Sequence, residues 1–214
     1  MVAPFDISYE LEHQIAGSVK EGLLSDVRDM IDKCAFSYTR QAEVKGLGHA
    51  ILTGETLIGN EPFGVILADD FCDNGDSGVI KQMVGLFSHY QCSIVAIEEV
   101  PADQTDKYGI VDGKEIDEGL IKVSNMIEKP APEDAPTNLA VIGRYILTPD
   151  IFSVIRTLGP GAAGEIQITD AICEQAKNSM VLAYKFNGTR FDCGSLKGYV
   201  EATNYVYDKY HLKV

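Results

Sequence analysis

Two acidic side chains that are far apart in the chain have the type and the setting of metal ligands. Asp69 follows the apolar run Phe63–Ala68, which predicts a buried strand, and Asp192 lies in the segment FDCGS ahead of a predicted helix. Carboxylate oxygens suit Mg²⁺, and α/β sheets bind ligands beyond the carboxyl ends of their strands. Aspartate is equally common in loops, where it caps helices and turns the chain, so both interpretations stay open.

A second pair of charges ends another predicted strand. Glu128 and Lys129 stand directly before Pro130. A lysine ammonium at such a position could meet a phosphate as a point charge, and a glutamate could accept hydrogen bonds from sugar hydroxyls. The same two residues could instead form an exposed ion pair worth well under about 1 kcal/mol.

Glycines punctuate a third segment, RQAEVKGLGHA, from Arg40 to Ala50. Gly46 and Gly48 carry no Cβ, so backbone N–H groups at a helix start can approach a ligand closely there. Gln41 offers a donor and an acceptor, which suits the edge of a base. The segment is neither a Walker motif nor G-x-G-x-x-G, and the pattern by itself favours a tight turn that needs glycine for its dihedral angles.

The chain as a whole is acidic, with 18 Lys and Arg against 32 Asp and Glu and a net charge of -14. Such a surface repels nucleic acid and anionic lipid, so neither is an expected partner, and a phosphorylated ligand would need cations placed locally. We expect a cytoplasmic protein, because the sequence shows neither a signal peptide nor an apolar run of about 20 residues. The five cysteines and four histidines are scattered without the spacing of a disulfide framework or a zinc site.

Helical and strand patterns alternate along the chain. Apolar residues recur at three or four positions over Tyr9 to Cys34, which predicts one long helix, and Ala35–Arg40 predicts a short strand. The residues of that apolar stripe are Leu11, Ile15, Val19, Leu23, Val27 and Met30. Further strands are predicted at Phe63–Ala68, Cys92–Val100, Leu139–Leu147 and Met180–Phe186, and further helices at Leu47–Leu57, Val79–Tyr90, Ile166–Lys177 and Leu196–Tyr210.

This alternation predicts an α/β fold of Rossmann-like type, whose mixed, mostly parallel sheet is covered by helices on both faces. Between Gly109 and Lys129, the pair Asp112-Gly113 predicts a hairpin turn, and Pro130–Pro136 predicts a loop. There is no internal repeat or linker, so we expect one domain over residues 1–214.

Taken together, the motifs resemble the bacterial UTP–glucose-1-phosphate uridylyltransferase family, also called UDP-glucose pyrophosphorylase. They occur in the family's order over nearly the whole chain. The motifs are Q-x-x-x-K-G-L-G-H-A, V-I-L-x-D, Y-G-I-V, I-E-K-P, N-L-A-V-I-G-R-Y, G-E-I-Q-I-T-D-A and D-C-G. The resemblance implies a nucleotidyltransferase fold, the substrates UTP and glucose 1-phosphate, the product UDP-glucose, Mg²⁺ as cofactor and a homo-oligomer.

The resemblance also implies roles for individual residues. Asp69 and Asp192 would hold Mg²⁺, and Lys129 would bind the phosphates, so these three are the expected catalytic residues. The remaining expected contacts are Gln41 and Gly46 to uracil, and Gly109, Glu128 and Glu165 to the glucose ring.

One family motif is missing from the 214 residues: the glycine-rich loop G-x-G-T-R-x-x-P that wraps the triphosphate. We therefore expect an N-terminally truncated domain that lacks the first β-α-β unit and has very low turnover. Two alternatives stay open. One is an enzyme similar to glucose-1-phosphate thymidylyltransferase, and the other is a module that binds a sugar nucleotide without catalysis.

Overall fold

The computed structural model describes residues 8–18, 20–75, 77–161 and 164–211 of the chain. The chain divides into two units, residues 1–40 and residues 41–214. Among the described residues, no helix combines the length and the apolar character that crossing a membrane requires. The expectation of a single domain stays a prediction.

The first unit contains two short helices where the sequence predicted one long helix. These are α1 (Tyr9–Ile15) and α2 (Lys20–Ile31). Gly17, at a φ of 74°, ends α1 in the left-handed conformation that favours glycine after a helix. Of the predicted apolar stripe, Val19 lies outside the described residues, and so do the side chains of Leu11, Leu23, Val27 and Met30.

The strand predicted over residues 35–40 is wrong. This segment has no strand structure, and all six of its side chains are exposed. A strand is stabilised when at least one of its faces is buried, and none of these six side chains is buried.

The second unit contains a six-stranded sheet in the order β1-β6-β3-β7-β5-β4 and a two-stranded sheet formed by β2 and β8. The strands are β1 (Phe63–Ile66), β2 (Asp70–Asp73), β3 (Ser93–Glu99), β4 (Gly109–Asp117), β5 (Leu120–Glu128), β6 (Leu139–Leu147), β7 (Val181–Lys185) and β8 (Thr189–Asp192). The helices are α3 (Leu47–Thr53), α4 (Glu55–Ile58), α5 (Val79–Tyr90), α6 (Ile151–Thr157), α7 (Ile168–Asn178) and α8 (Leu196–Tyr210), with a 3-10 helix at Ala102–Lys107. Helix α6 and the strand pair β2 and β8 were not predicted from the sequence.

The α/β fold is confirmed, but the prediction of a mostly parallel sheet is wrong. Within the described residues, β3 and β7 are the one parallel pair, and the other neighbouring strands pair antiparallel. The strands β1, β3 and β7 do share one direction. However, β6 follows β5 through a loop instead of a helix, runs the opposite way and lies between β1 and β3. The insertion of β6 removes the parallel contact that β1 and β3 would otherwise make.

The hairpin of β4 and β5 is present, but its turn is not at Asp112-Gly113. The chain reverses at Glu118-Gly119, where Gly119 has a φ of 67°. Gly113 instead lies at a register shift within β4. A Cβ on Gly113 would lie 2.2 Å from the carbonyl oxygen of Lys122, so glycine is needed there for close approach of two strands.

Helices cover both faces of the main sheet. On one face, α3, α6 and α7 pack against a cluster that includes Val95 and Ile97 of β3. On the other face, α5 packs against Ile94 and Ala96 of the same strand. Alternate residues of β3 therefore enter different clusters, which explains why residues 94–97 of this strand are all apolar instead of alternating.

Helix α8 is joined to the two-stranded sheet by a charged contact. Lys209 Nζ in α8 lies 2.6 Å from Asp73 Oδ2 in β2, and the hydroxyl of Tyr210 donates to the same oxygen at 3.2 Å. The hydrogen bond from Lys209, with one from the backbone N–H of Gly75, lowers the pKa of Asp73 to about 2. The same contact with Asp73 raises the pKa of Lys209.

The close approach at Gly113 predicts a large difference between two glycine substitutions. Gly113→Ala places a methyl group against backbone, and we expect it to lower the free energy of unfolding by roughly 1–3 kcal/mol. The control is Gly64→Ala in β1, where the nearest atom to a new Cβ is 3.8 Å away and a change within about 0.5 kcal/mol is expected. Urea denaturation measures both, and equal losses would contradict the role given to Gly113.

The contact between Asp73 and Lys209 predicts a pH-dependent contribution to stability. Because the folded pKa of Asp73 is lowered, the contribution is complete above the unfolded value of about 3.9 and is lost as the pH falls towards 2. We expect Asp73→Asn to lower the melting temperature by a few degrees at pH 7, with a smaller difference from the unsubstituted chain at pH 3. A difference that stays constant between these pH values would show that the carboxylate charge plays no part.

Candidate active site

A cavity of about 310 Å³ lies where the two-stranded sheet meets the start of β4 and the end of β5. Most of its charged lining comes from segments that the sequence analysis singled out. The carboxylates are Asp69, Asp70, Glu128 and Asp192, and the cations are Lys107, Lys129 and Arg190. The cavity thus combines oxygen ligands for a cation with positive charges for an anion.

Asp69 and Asp192 are brought together by the pairing of β2 with β8. Asp70 is opposite Asp192 in the register, and the backbone N–H of Cys193 donates to the carbonyl of Asp69 at 2.7 Å. A Cβ placed on Gly194 would lie 3.1 Å from Asp192 Oδ1 and 3.3 Å from Asp69 Oδ2. The two carboxylate oxygens therefore reach one small volume, which a side chain at position 194 would fill.

Asp70 differs from its neighbour Asp69 because protein groups already hold its carboxylate. Its Oδ1 lies 2.5 Å from Nε of Arg190, and its Oδ2 accepts from the backbone N–H of Gly143. Arg190 also contacts Oε1 of Glu98 through Nη1 at 2.6 Å. Burial alone lowers the pKa of Arg190, but Asp70, Tyr108 and Glu98 outweigh it and the pKa is raised. Asp70 is thus a buried part of the cavity wall, whereas Asp69 lines the same cavity and is exposed.

Glu128 and Gly109 lie opposite each other at the paired ends of β5 and β4. Oε2 of Glu128 accepts a hydrogen bond from the hydroxyl of Thr169 at 2.6 Å. A Cβ on Gly109 would lie 2.9 Å from Thr169 Oγ1 and 3.2 Å from Glu128 Oε2. Glycine at 109 therefore leaves the carboxylate accessible, while Thr169 fixes its orientation.

Lys129 has an unusual backbone. Its φ of 48° places a non-glycine residue in the left-handed region, and its N–H donates to the carbonyl of Tyr108 at 2.9 Å. Its ammonium lies 3.8 Å from Oε1 of Glu128 on a side chain that is 58% exposed. Such backbone strain concentrates at functional sites, because the surrounding structure holds one residue in a set direction.

Gln41, Gly46 and Glu165 form a second group, near the start of α3. The side-chain amide of Gln41 donates to the carbonyl of Gly46 at 3.1 Å and lies 2.8 Å from Nδ1 of His49. Gly46 has a φ of 89°, and a Cβ there would lie 2.7 Å from the carbonyl oxygen of Ile166 and 2.9 Å from Cβ of Glu165. This agrees with a tight turn that needs glycine. Gln41, Gly46 and Glu165 are not among the residues that line the cavity, whereas their neighbours Leu47 and Gln167 are.

Several residues of the cavity were not predicted from the sequence. Arg190, Tyr145 and Thr169 lie within or beside quoted motifs, but their roles depend on contacts with distant strands. Burial, followed by the nearby charge of Glu128, raises the pKa of Tyr145, so its phenol stays protonated at neutral pH. The segment TRFD gives no local signal for Arg190, because the burial and the partners of this side chain are set by contacts with other segments.

Comparisons with known proteins show the family to which the chain belongs. A family model described as nucleotidyl transferase matches residues 9–209, which makes the chain a nucleotidyltransferase by family. A UTP–glucose-1-phosphate uridylyltransferase from Pseudomonas aeruginosa is 61% identical over 209 residues, which cover 97% of this chain and 75% of the relative. The chain belongs to the UTP–glucose-1-phosphate uridylyltransferase family, as its motifs predicted.

Solved structures show the same similarity. A crystal structure of an apo UDP-glucose pyrophosphorylase matches with a TM-score of 0.91 and 59% identity, covering 96% of this chain and 76% of that one. A UDP-glucose pyrophosphorylase complexed with UDP-glucose matches with a TM-score of 0.88 and 56% identity, covering 96% and 75% of the two chains. The nucleotidyltransferase fold predicted from the sequence is thus confirmed.

The backbone strain at Lys129 predicts that a glycine at this position, which relieves the strain, makes the fold more stable than an alanine does. Lys129→Gly and Lys129→Ala both lose the ammonium, but glycine also relieves the left-handed backbone, so we expect the glycine variant to be more stable by about 1 kcal/mol in urea denaturation. The matched pair is Lys114→Gly and Lys114→Ala in β4, where glycine should be less stable by roughly 0.5–1 kcal/mol. The same order of stability at both positions would contradict strain at Lys129.

Proposed function

We propose that the chain transfers the uridylyl group of UTP to glucose 1-phosphate, giving UDP-glucose and pyrophosphate. The observation that carries this proposal is the convergence of Asp69 and Asp192 in a cavity that also contains Glu128 and Lys129, within a chain of this family. A phosphate oxygen of glucose 1-phosphate attacks the α-phosphorus of UTP, and pyrophosphate leaves. No side chain has to act as a nucleophile, so catalysis consists mainly of positioning and charge stabilisation.

Magnesium is the proposed cofactor, held by Asp69 and Asp192. The donor set fits this ion, because Mg²⁺ is commonly bound by one or two carboxylates together with water and substrate phosphates. Across the described part of the chain, no group of three or more His, Cys, Asp and Glu residues could hold a metal by itself. A metal ion that is bound jointly by the protein and by substrate phosphates requires only two such carboxylates at an accessible cavity. The ion, when bound, neutralises phosphate charge and stabilises the leaving pyrophosphate.

The other charged residues have complementary proposed roles. Lys129 supplies a positive charge to the phosphates, which matters in a chain whose net charge is -14. Glu128, oriented by Thr169, accepts hydrogen bonds from glucose hydroxyls, and Gly109 leaves room for the ring. Glu165 accepts from the side-chain amide of Gln167 at 3.2 Å, and Gln167 lines the cavity, which places Glu165 one side chain behind the proposed sugar contacts.

Gln41 and Gly46 are the proposed contacts for uracil. The amide of Gln41 is held against Gly46 and His49, so its orientation is set before a base arrives. A fixed amide can discriminate between bases by its donor and acceptor positions. Comparison of UTP with CTP tests this selection, because cytosine presents an amine donor where uracil presents a carbonyl acceptor.

The metal assignment predicts a loss of magnesium-dependent binding in two variants. We expect Asp69→Asn and Asp192→Asn each to weaken UDP-glucose binding about tenfold or more in the presence of MgCl₂, measured by calorimetry. Asp117→Asn is the control, because Asp117 is exposed at the turn of the β4–β5 hairpin. Unchanged affinity in both cavity variants would exclude a shared metal at Asp69 and Asp192.

The reaction itself is tested by pyrophosphate release at saturating UTP, glucose 1-phosphate and MgCl₂. We expect a low rate, because the 214 residues contain no G-x-G-T-R-x-x-P loop, and a higher rate with UTP than with dTTP. Binding of UDP-glucose without any release would favour the non-catalytic module, and absence of both would exclude the proposal.

A further inference from the structure

Arg190 lines the cavity with a buried side chain, and its charge is already paired with two carboxylates. Its side chain is 8% exposed, and its guanidinium contacts Asp70 and Glu98 at 2.5 and 2.6 Å. A paired guanidinium of this kind is a poor ligand for a substrate phosphate, because binding would break contacts that offset its burial. Its part in the proposed reaction is therefore indirect.

On one side, Arg190 is connected to the proposed metal ligands. It lies two residues before Asp192 on β8, so both side chains project from the same face of the strand, and both line the cavity. Through Asp70 it holds the residue next to Asp69. Arg190 thus shares a strand face with Asp192 and is paired with the chain neighbour of Asp69.

On the other side, the same guanidinium is connected to the proposed sugar contacts. Its Cζ lies 5.3 Å from the centre of the Tyr108 ring, a stacking distance for a cation on an aromatic face. Tyr108 precedes Gly109, and its carbonyl accepts the N–H of the strained Lys129. Arg190 therefore contacts Asp70, next to the proposed metal ligand Asp69, and Tyr108, next to the proposed sugar contact Gly109.

We infer that Arg190 is a positioning residue that couples metal binding at Asp69 and Asp192 to sugar-nucleotide binding at Gly109, Glu128 and Lys129. This inference rests on the proposed function. A metal that orders the carboxylates of Asp69 and Asp192 would also hold Asp70 and Arg190 in place. Arg190 in turn would hold the ring of Tyr108 beside the proposed sugar contacts. Coupling of this type is a ratio of affinities measured with and without the metal.

Tyr108→Leu and Arg190→Lys test the connection. Tyr108→Leu keeps the ion pairs of Arg190 and removes the aromatic ring, while Arg190→Lys keeps the charge and removes the planar fork. UDP-glucose affinity is measured by calorimetry in MgCl₂ and in EDTA, together with thermal melting of each variant. For the unsubstituted chain we expect magnesium to tighten binding about tenfold, a coupling of ordinary size, and for both variants a ratio near one.

Two controls remove comparable groups elsewhere. Arg156→Met breaks the exposed ion pair of Arg156 with Glu55, and Tyr199→Leu removes an exposed ring of α8, and both should keep the ratio of the unsubstituted chain. If Arg190→Lys does not fold, Tyr108→Leu decides the question by itself.

The outcomes separate the inference from the function on which it rests. If the unsubstituted chain does not bind UDP-glucose, the proposed function fails. If it binds but its affinity does not depend on magnesium, or if both variants keep its ratio, the coupling role of Arg190 is excluded. Equal weakening in MgCl₂ and EDTA would also exclude coupling, because a purely structural role predicts that result.

Discussion

A buried guanidinium held between two carboxylates is the interaction on which the rest of the cavity depends. Removing Arg190, Asp70 and Glu98 from water has a large cost, which short contacts and additional hydrogen bonds must offset. One such bond comes from the backbone N–H of Gly143 to Asp70. A Cβ on Gly143 would lie 2.7 Å from Oδ2 of Asp70, so glycine allows this carboxylate to reach β6. The strands β2, β3, β6 and β8 are thereby joined at one point.

The position of β6 explains why this point exists. Because β6 is inserted between β1 and β3, Gly143 in its middle comes within reach of Asp70 at the start of β2. Arg144, the next residue, also donates to the carbonyl of Leu67 at 3.2 Å. A sheet with β1 and β3 as direct neighbours would place no backbone donor there. The antiparallel insertion is thus part of how the site is built.

The cavity gathers positive side chains, although the chain as a whole is negatively charged. With a net charge of -14, the surface repels phosphorylated ligands, yet Lys107, Lys129 and Arg190 are gathered around one cavity. Arg190 is paired with Asp70 and Glu98, which leaves Lys107 and Lys129 as the other cations that line the cavity, beside the proposed Mg²⁺ site. The strained φ of 48° at Lys129 is consistent with this division, since strain persists where the surroundings hold a residue in a functional direction.

Local patterns in the sequence determined much of the secondary structure. The bounds of α5, β6 and α8 agree with prediction, because α5 and α8 follow helical patterns and β6 is a nearly continuous apolar run, each with polar or turn residues beyond its ends. The single long helix at the start of the chain failed because one glycine, Gly17, adopts a left-handed conformation that the apolar period does not record. The Asp112-Gly113 turn failed because Gly113 serves a close contact between strands.

The types of the site residues were also readable from the sequence, through motifs that only make sense together. What tertiary structure alone decided is which of them meet. Asp69 and Asp192 are separated by more than half of the chain, and the pairing of β2 with β8 brings their oxygens around Gly194. Arg190 carried no independent signal, because its role depends on Asp70, Glu98 and Tyr108 reaching it from three other segments. Sequence patterns report the periodicity of one segment, whereas contacts between distant segments follow from strand order and burial.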